Sequence, residues 1–336
     1  MPVGLIWRGE RLFASMMLRF CAHAASPRLS PSVPETLSPR PTTLRKGSEM
    51  WRLPEMALDQ IESVPSVSEA AATGEIAAIY SDIRNTLGTS VVNLIWRNLA
   101  TMPGALQWTW SSVRPLYIGP AALHAEAVRR SLDLPEVPPL SADPLTAAGI
   151  GQTELKDIHT ILDSYHHTNA LALVVLTALL EHYDPTHAAA VQPSETTSPS
   201  AHTELPPLPP MASLLPEVQR LIEELNEFGA DTAPLLIASM YRHLAYWPPY
   251  LAVVRTLLAP AQADGSLNAL TRSALALGRA HGQILSRQLE PPHPPPSMQD
   301  ALASCRLFVE HSIARMTGIC AVIRRATPEP TSTTVS

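Results

Sequence analysis

Apolar residues recur at helical spacing in two stretches that resemble each other. In residues 74–88, GEIAAIYSDIRNTLG, the side chains of Ile76, Ile79 and Ile83 fall on one helix face; in residues 216–229, PEVQRLIEELNEFG, those of Val218, Leu221 and Leu225 do the same. Each stretch ends at a glycine, Gly88 or Gly229, the residue that most readily closes a helix in the left-handed conformation. Beyond them, Trp96-Arg97-Asn98-Leu99-Ala100 lies over Tyr241-Arg242-His243-Leu244-Ala245, and the same offset of 145 sets Pro103 on Pro248, Leu106 on Leu251 and Pro115 on Pro260. Residues 154–180 pair more weakly with 298–324, His167-Thr168 falling on His311-Ser312. A period this long marks a duplication and not a short-repeat solenoid.

The pattern between these blocks is also helical. The longest apolar run, NALALVVLTALL at 169–180, is too short for a membrane span, which needs ~20 apolar residues, and reads as a buried core helix. Alternating β-branched runs bounded by hairpin signals are missing, so the predicted architecture is all-α, two homologous helical repeats forming an intramolecular pseudo-dimer. Proline clusters mark the joints: 134–147, 291–297, and the segment SETTSPSAHTELPPLPP. The expected organisation is an extension over 1–60, disordered or upstream of a true start at Met50 or Met56; a first repeat over 71–182; a Pro/Ser-rich linker over 183–212, solvated and partly polyproline II; a second repeat over 213–326; and a disordered tail over 327–336.

Composition narrows the function. A net charge of -6, with Lys46 and Lys156 the only lysines and the arginines scattered, gives no basic surface for nucleic acid. Cys21, Cys305 and Cys320 form no disulfide framework; Cys305 and Cys320 would lie about 20 Å apart on one helix, which suits a reducing cytoplasm. No GxGxxG, Walker A loop, HExxH, CxxC or aspartate-rich helical motif is present, and the histidines are dispersed, so neither a metal nor a cofactor is expected.

The segment VVNLIWRNLATMPGALQWTWSSVRPLY and its second-half counterpart YRHLAYWP resemble the group I 2-haloacid dehalogenases. The resemblance spans roughly 70–326. It implies two all-α repeats around a buried cavity for a small 2-halocarboxylate, and cofactor-free hydrolysis in which an aspartate activates water to displace halide with inversion and without a covalent ester. A homodimer is allowed; no nucleic-acid or membrane partner is implied. The family aspartate sits in a Ser-Asp-Tyr segment just before an LAxWP run, and the matching residues are Ser239-Met240-Tyr241. A methionine thioether has no usable proton-accepting site near neutral pH, so Met240 cannot do an aspartate's work. The family's first-repeat asparagine, which holds water or substrate, matches Asn93.

Each residue so picked out has a plainer reading. Asn93 fits either the cavity or a helix N-cap. Ser239 offers a cavity hydroxyl. His243, one turn after Met240, is the candidate substitute base, or else a histidine bonded to a carbonyl. Trp96, Tyr241 and Arg242 are candidate substrate contacts, although the aromatics also suit the core, and the shared placement of Arg97 and Arg242 suits a structural role in each half. Asp231 is the nearest upstream carboxylate and also a natural turn residue.

Overall fold

A computed structural model describes residues 64–184, 203–232 and 236–331; the expected extension over 1–60 and most of the expected linker lie outside them. The described chain is all-α. Its first half runs α1 (Gly74–Leu87), α2 (Leu94–Leu99), α3 (Ala105–Tyr117), α4 (Ala121–Ser131), α5 (Ala142–Ala147) and α6 (Gln152–His182). Its second half runs α7 (Pro216–Glu227), α8 (Ser239–Leu244), α9 (Pro248–Ala263), α10 (Ser266–Ser286), α11 (Met298–Phe308), a π-helical turn (Val309–Ile313) and α12 (Ala314–Ala326). The glycine signals locate real helix ends: Gly88 closes α1 at φ 65°, and Gly229, at φ 71°, follows α7.

The core is organised around α6. From Ala170 through Leu179 every residue of this helix is buried, so it must be covered on all sides, and α10, α12 and α4 pack against it. The tightest approach is to α10, at two glycines one turn apart. A Cβ on Gly278 would stand 2.7 Å from Leu173 Cγ, and one on Gly282 would stand 2.7 Å from Thr177 Cγ2 and 3.0 Å from the backbone nitrogen of Ala178. On the other side of α10, a Cβ at Gly318 of α12 would meet Leu270 Cγ at 2.6 Å. These glycines forgo helix propensity to let backbones come close.

Two expectations need correction. The C-terminal part of the linker, 203–210, is a docked strap and not a solvated tether. Thr203 pairs with Thr89 in an isolated parallel bridge, donating from its amide to Gly88 O at 2.8 Å, and the Leu205 amide donates to Ser90 Oγ at 2.8 Å. Farther on, carbonyls that proline leaves unpaired within the segment are taken up by α8 and its C-terminal end: Tyr246 donates to Pro207 O at 2.7 Å and Arg242 to Pro209 O at 2.8 and 3.0 Å. The tail is likewise docked as far as it is described, with a hydrogen bond between Thr327 and Tyr250 at 2.7 Å and one from His159 Nε2 to Pro328 O at 2.9 Å. Periodicity cannot announce such contacts, because they are made by carbonyls and not by an apolar face. Cys305 and Cys320 are buried free thiols, and among the described residues no helix is long and apolar enough to cross a membrane.

A single methyl tests the packing. Gly282→Ala gains up to ~1 kcal/mol of helix propensity but must push against backbone, and should destabilise the protein by a net ~1–3 kcal/mol in urea unfolding. An unchanged or raised midpoint would show that α6 and α10 can separate freely.

Candidate active site

Where α6 leaves its apolar stretch it carries polar residues at helical spacing, Ser164 and Thr168 one turn apart and Tyr165 and Asn169 likewise, all four buried. They face a cavity of about 70 Å³, room for a ligand of a few heavy atoms. The start of α2 supplies Asn93, Leu94 and Ile95, and the start of α8 supplies Ala238, Ser239 and Met240. Strap residues Leu205 and Leu208 form another side, and Phe308, Ser312, Ile313 and Met316, in and around the π-helical turn, close it. No carboxylate lines the cavity among the described residues.

The structure therefore brings Asn93, Ser239 and Met240 to one space. Asn93 occupies the N-cap position of α2, yet its side chain makes no capping hydrogen bond. Met240 is 1% exposed, its thioether against the cavity where a proton acceptor would be needed. The other predicted residues are not in the lining. Trp96 packs edge-to-face on Trp110, centroids 5.3 Å apart, and on Tyr117. Tyr241 is buried in the core, and Arg242 is spent on the strap at Pro209. Asp231 is exposed and paired with Arg272 at 2.9 Å.

His243 is held at both ring nitrogens. Nε2 lies 3.0 Å from Pro206 O, which can only accept, so the proton is on Nε2; Nδ1 is then an acceptor, and Tyr165 Oη donates to it at 2.7 Å. Complete burial pulls the imidazole down to about 3, so it is neutral and its lone pair is occupied. A free base it is not. The first half contains the same relay in other residues: Ser304 Oγ donates to Asn98 Oδ1 at 2.6 Å, and Asn98 Nδ2 donates to Pro65 O at 2.8 Å.

Positive charge reaches the cavity from behind. Burial raises the Tyr165 hydroxyl well above its usual range, while the Arg242 and Arg97 guanidiniums act in the opposite sense. Both arginines are themselves buried, so their field is poorly screened. Arg242 thus bears on the site through its charge and not through contact.

Sequence reasoning missed Asn169. Its Nδ2 is buried without a hydrogen-bond partner, on a residue 7% exposed that lines the cavity. An amide in that state is a donor kept for something else. The available signal was the pairing of Ser164 with Thr168 and of Tyr165 with Asn169, polar residues that repeat one turn apart as the helix turns apolar.

The histidines set a pH dependence. Folded values are lowered by burial to about 3 at His243 and about 4 at His166, whereas the unfolded chain titrates near 6.5. Between those values the unfolded chain binds protons that the folded one does not, so stability is present above about pH 6.5 and is lost as pH falls toward 4. The urea midpoint should drop between pH 7 and pH 5, and His243→Asn, which can keep the relay as Asn98 does, should flatten the drop. Identical slopes in the two proteins would contradict the buried neutral assignment.

No protein-family model matches the chain. A configuration-inverting 2-haloacid dehalogenase of Alcaligenes xylosoxydans xylosoxydans is 29% identical over 225 residues, covering 64% of this chain and 75% of that protein. One of the same description from Pseudomonas sp. (strain 113) is 25% identical over 233 residues, covering 66% and 75%. Among solved structures, a D-2-haloacid dehalogenase mutant superposes with a TM-score of 0.65 at 19% identity, over 82% of this chain and 98% of that one. A D-2-haloacid dehalogenase complex with L-LA gives 0.62 at 18% identity, over 82% and 99%. The fold is thus shared with those enzymes, and on its sequence relatives the chain belongs to the 2-haloacid dehalogenase family.

Proposed function

We propose that the protein is a hydrolase of the 2-haloacid dehalogenase type, taking a short 2-halocarboxylic acid into the cavity between the starts of α2 and α8. The observation that carries this is the cavity's make-up: a small apolar slot with buried polar groups on one wall and two buried guanidiniums behind it. An alkyl group fits the apolar side, the carboxylate is favoured by the field, and Asn169 and Asn93 offer amides to hold carboxylate or water. In the reaction, water oxygen bonds to the α-carbon as halide leaves with the bonding electrons, and a base takes the water proton.

A specific observation favours a second reading, in which the chain binds small carboxylates but turns them over poorly. With Met240 in the place of the family aspartate and His243 committed to Tyr165, no carboxylate or free imidazole among the described lining residues can take that proton. A purely structural role fits less well, because side chains have not filled the cavity.

The two halves, 71–182 and 213–326, are on this reading repeats about a pseudo-two-fold axis, and the seam between them is the cavity. The matched order of helices, the prolines Pro115 and Pro260 inside α3 and α9, and the paired relays at Asn98 and His243 support it. Membership of this family also suits a cytoplasmic, cofactor-independent enzyme, with a homodimer allowed.

Halide release from racemic 2-chloropropionate by purified protein, beside a heat-killed control, tests the proposal. The native chain should release chloride slowly, and Met240→Asp should raise the rate at least tenfold by restoring an acceptor. Burial would push the new carboxyl's pKa up and limit the gain, while Arg242 and Arg97 would hold it down. Efficient native turnover abolished by Met240→Asp would overturn the residue assignment.

A further inference from the structure

The hydroxyl protons on the α6 wall of the cavity are already assigned. Pro206 O fixes the His243 tautomer, which obliges Tyr165 to donate its only proton to Nδ1, away from the ligand space. The Ser239 hydroxyl is placed to donate to the same tyrosine oxygen. Thr168 donates to its own helix, to Ser164 O at 2.9 Å. Toward a ligand, Tyr165 and Thr168 can therefore offer only lone pairs. The donors that remain in the lining are the unpartnered Asn169 amide and rotatable hydroxyls such as Ser312.

This division of labour suits one ligand chemistry better than another. A carboxylate takes the remaining donors. The substituent beside it then meets a wall of acceptors, which a hydroxyl can satisfy by donating and a halogen cannot, since a halogen carries only lone pairs of its own. Resting on the reading of the cavity as a small-carboxylate site, we infer that it recognises short carboxylic acids bearing a 2-hydroxyl in preference to those bearing a 2-halogen, with the oxygens of Tyr165 and Thr168 accepting the ligand's hydroxyl proton. Bare hydrophobicity predicts the opposite order, because chlorine and methyl are the less polar substituents and the rest of the slot is apolar. The inference thus sets hydrogen-bond direction against transfer free energy, and a buried acceptor row left unmatched is the larger loss.

Isothermal titration calorimetry on the full chain decides it, with racemic 2-hydroxypropionate, racemic 2-chloropropionate, 2-methylpropionate as an unreactive substitute of chlorine's size, and propionate. The hydroxy acid should bind at least about fivefold more tightly than either the chloro or the methyl acid, the ratio that one net hydrogen bond supplies. Tyr165→Phe and, separately, Thr168→Val should each reduce that ratio while leaving propionate affinity within about twofold. The ratio in the native protein stands even if a variant folds poorly. Equal or tighter binding of the chloro and methyl acids would overturn the inference and leave the carboxylate site intact. If none of the four acids binds at millimolar concentration, the reading of the cavity as a carboxylate site fails as well.

Discussion

Everything in this structure answers to α6, a helix that the chain buries on all sides. An amphipathic helix needs one neighbouring surface; one whose residues from Ala170 to Leu179 are all buried needs a complete sheath, and that demand draws α4, α10 and α12 around it. Close approach is then bought with Gly278 and Gly282, whose missing side chains let α10 settle against Leu173 and Thr177. The helix stays buried one turn earlier, at Ser164, Tyr165, Thr168 and Asn169, but there it is polar. Buried polar groups must be met by partners or by a ligand, and the starts of α2 and α8 together with the strap leave a cavity at that level and no other helix.

The strap and the short helices solve a linked problem. A proline-rich segment has carbonyls and few amide donors, so it cannot satisfy itself and needs donors brought to it. His243 and Arg242 of α8 and the nearby Tyr246 provide them, and the cost of burying an imidazole and a guanidinium is offset by those bonds. The consequence for function is electrostatic. Fixing Arg242 on Pro209 O leaves its charge close to Tyr165, while fixing His243 on Pro206 O removes it from acid–base service. The cavity is left attractive to an anion and short of a base.

Much of this was legible in the chain. Matching 93–97 to 239–243 located the two segments that face each other across the cavity, and the serine and methionine at 239 and 240 were seen as the place where the family pattern breaks. Glycines at 88 and 229 announced helix ends by the physics of left-handed backbone. What stayed hidden was tertiary. Asn169 reads as the first residue of an apolar run, and nothing local says that its amide lacks a partner; the docking of 203–210 depends on donors that lie thirty or more residues away. Trp96, Tyr241 and Arg242 were drawn toward the substrate by their neighbours in sequence, but a six-residue helix turns them to the opposite side from Asn93 and Ser239, into the core and the strap.

The central claim is that a small carboxylate enters the space in front of Asn169. The most direct measurement is the side-chain amide spectrum of protein labelled with 15N-asparagine, titrated with propionate. The account predicts a saturable shift of the Asn169 side-chain resonance, identified by its loss in Asn169→Ala, with a smaller shift at Asn93 and none at Asn268, which is held at Asp231 on the surface. Shifts confined to other asparagines, or an Asn169 resonance that does not move while propionate binds, would contradict it.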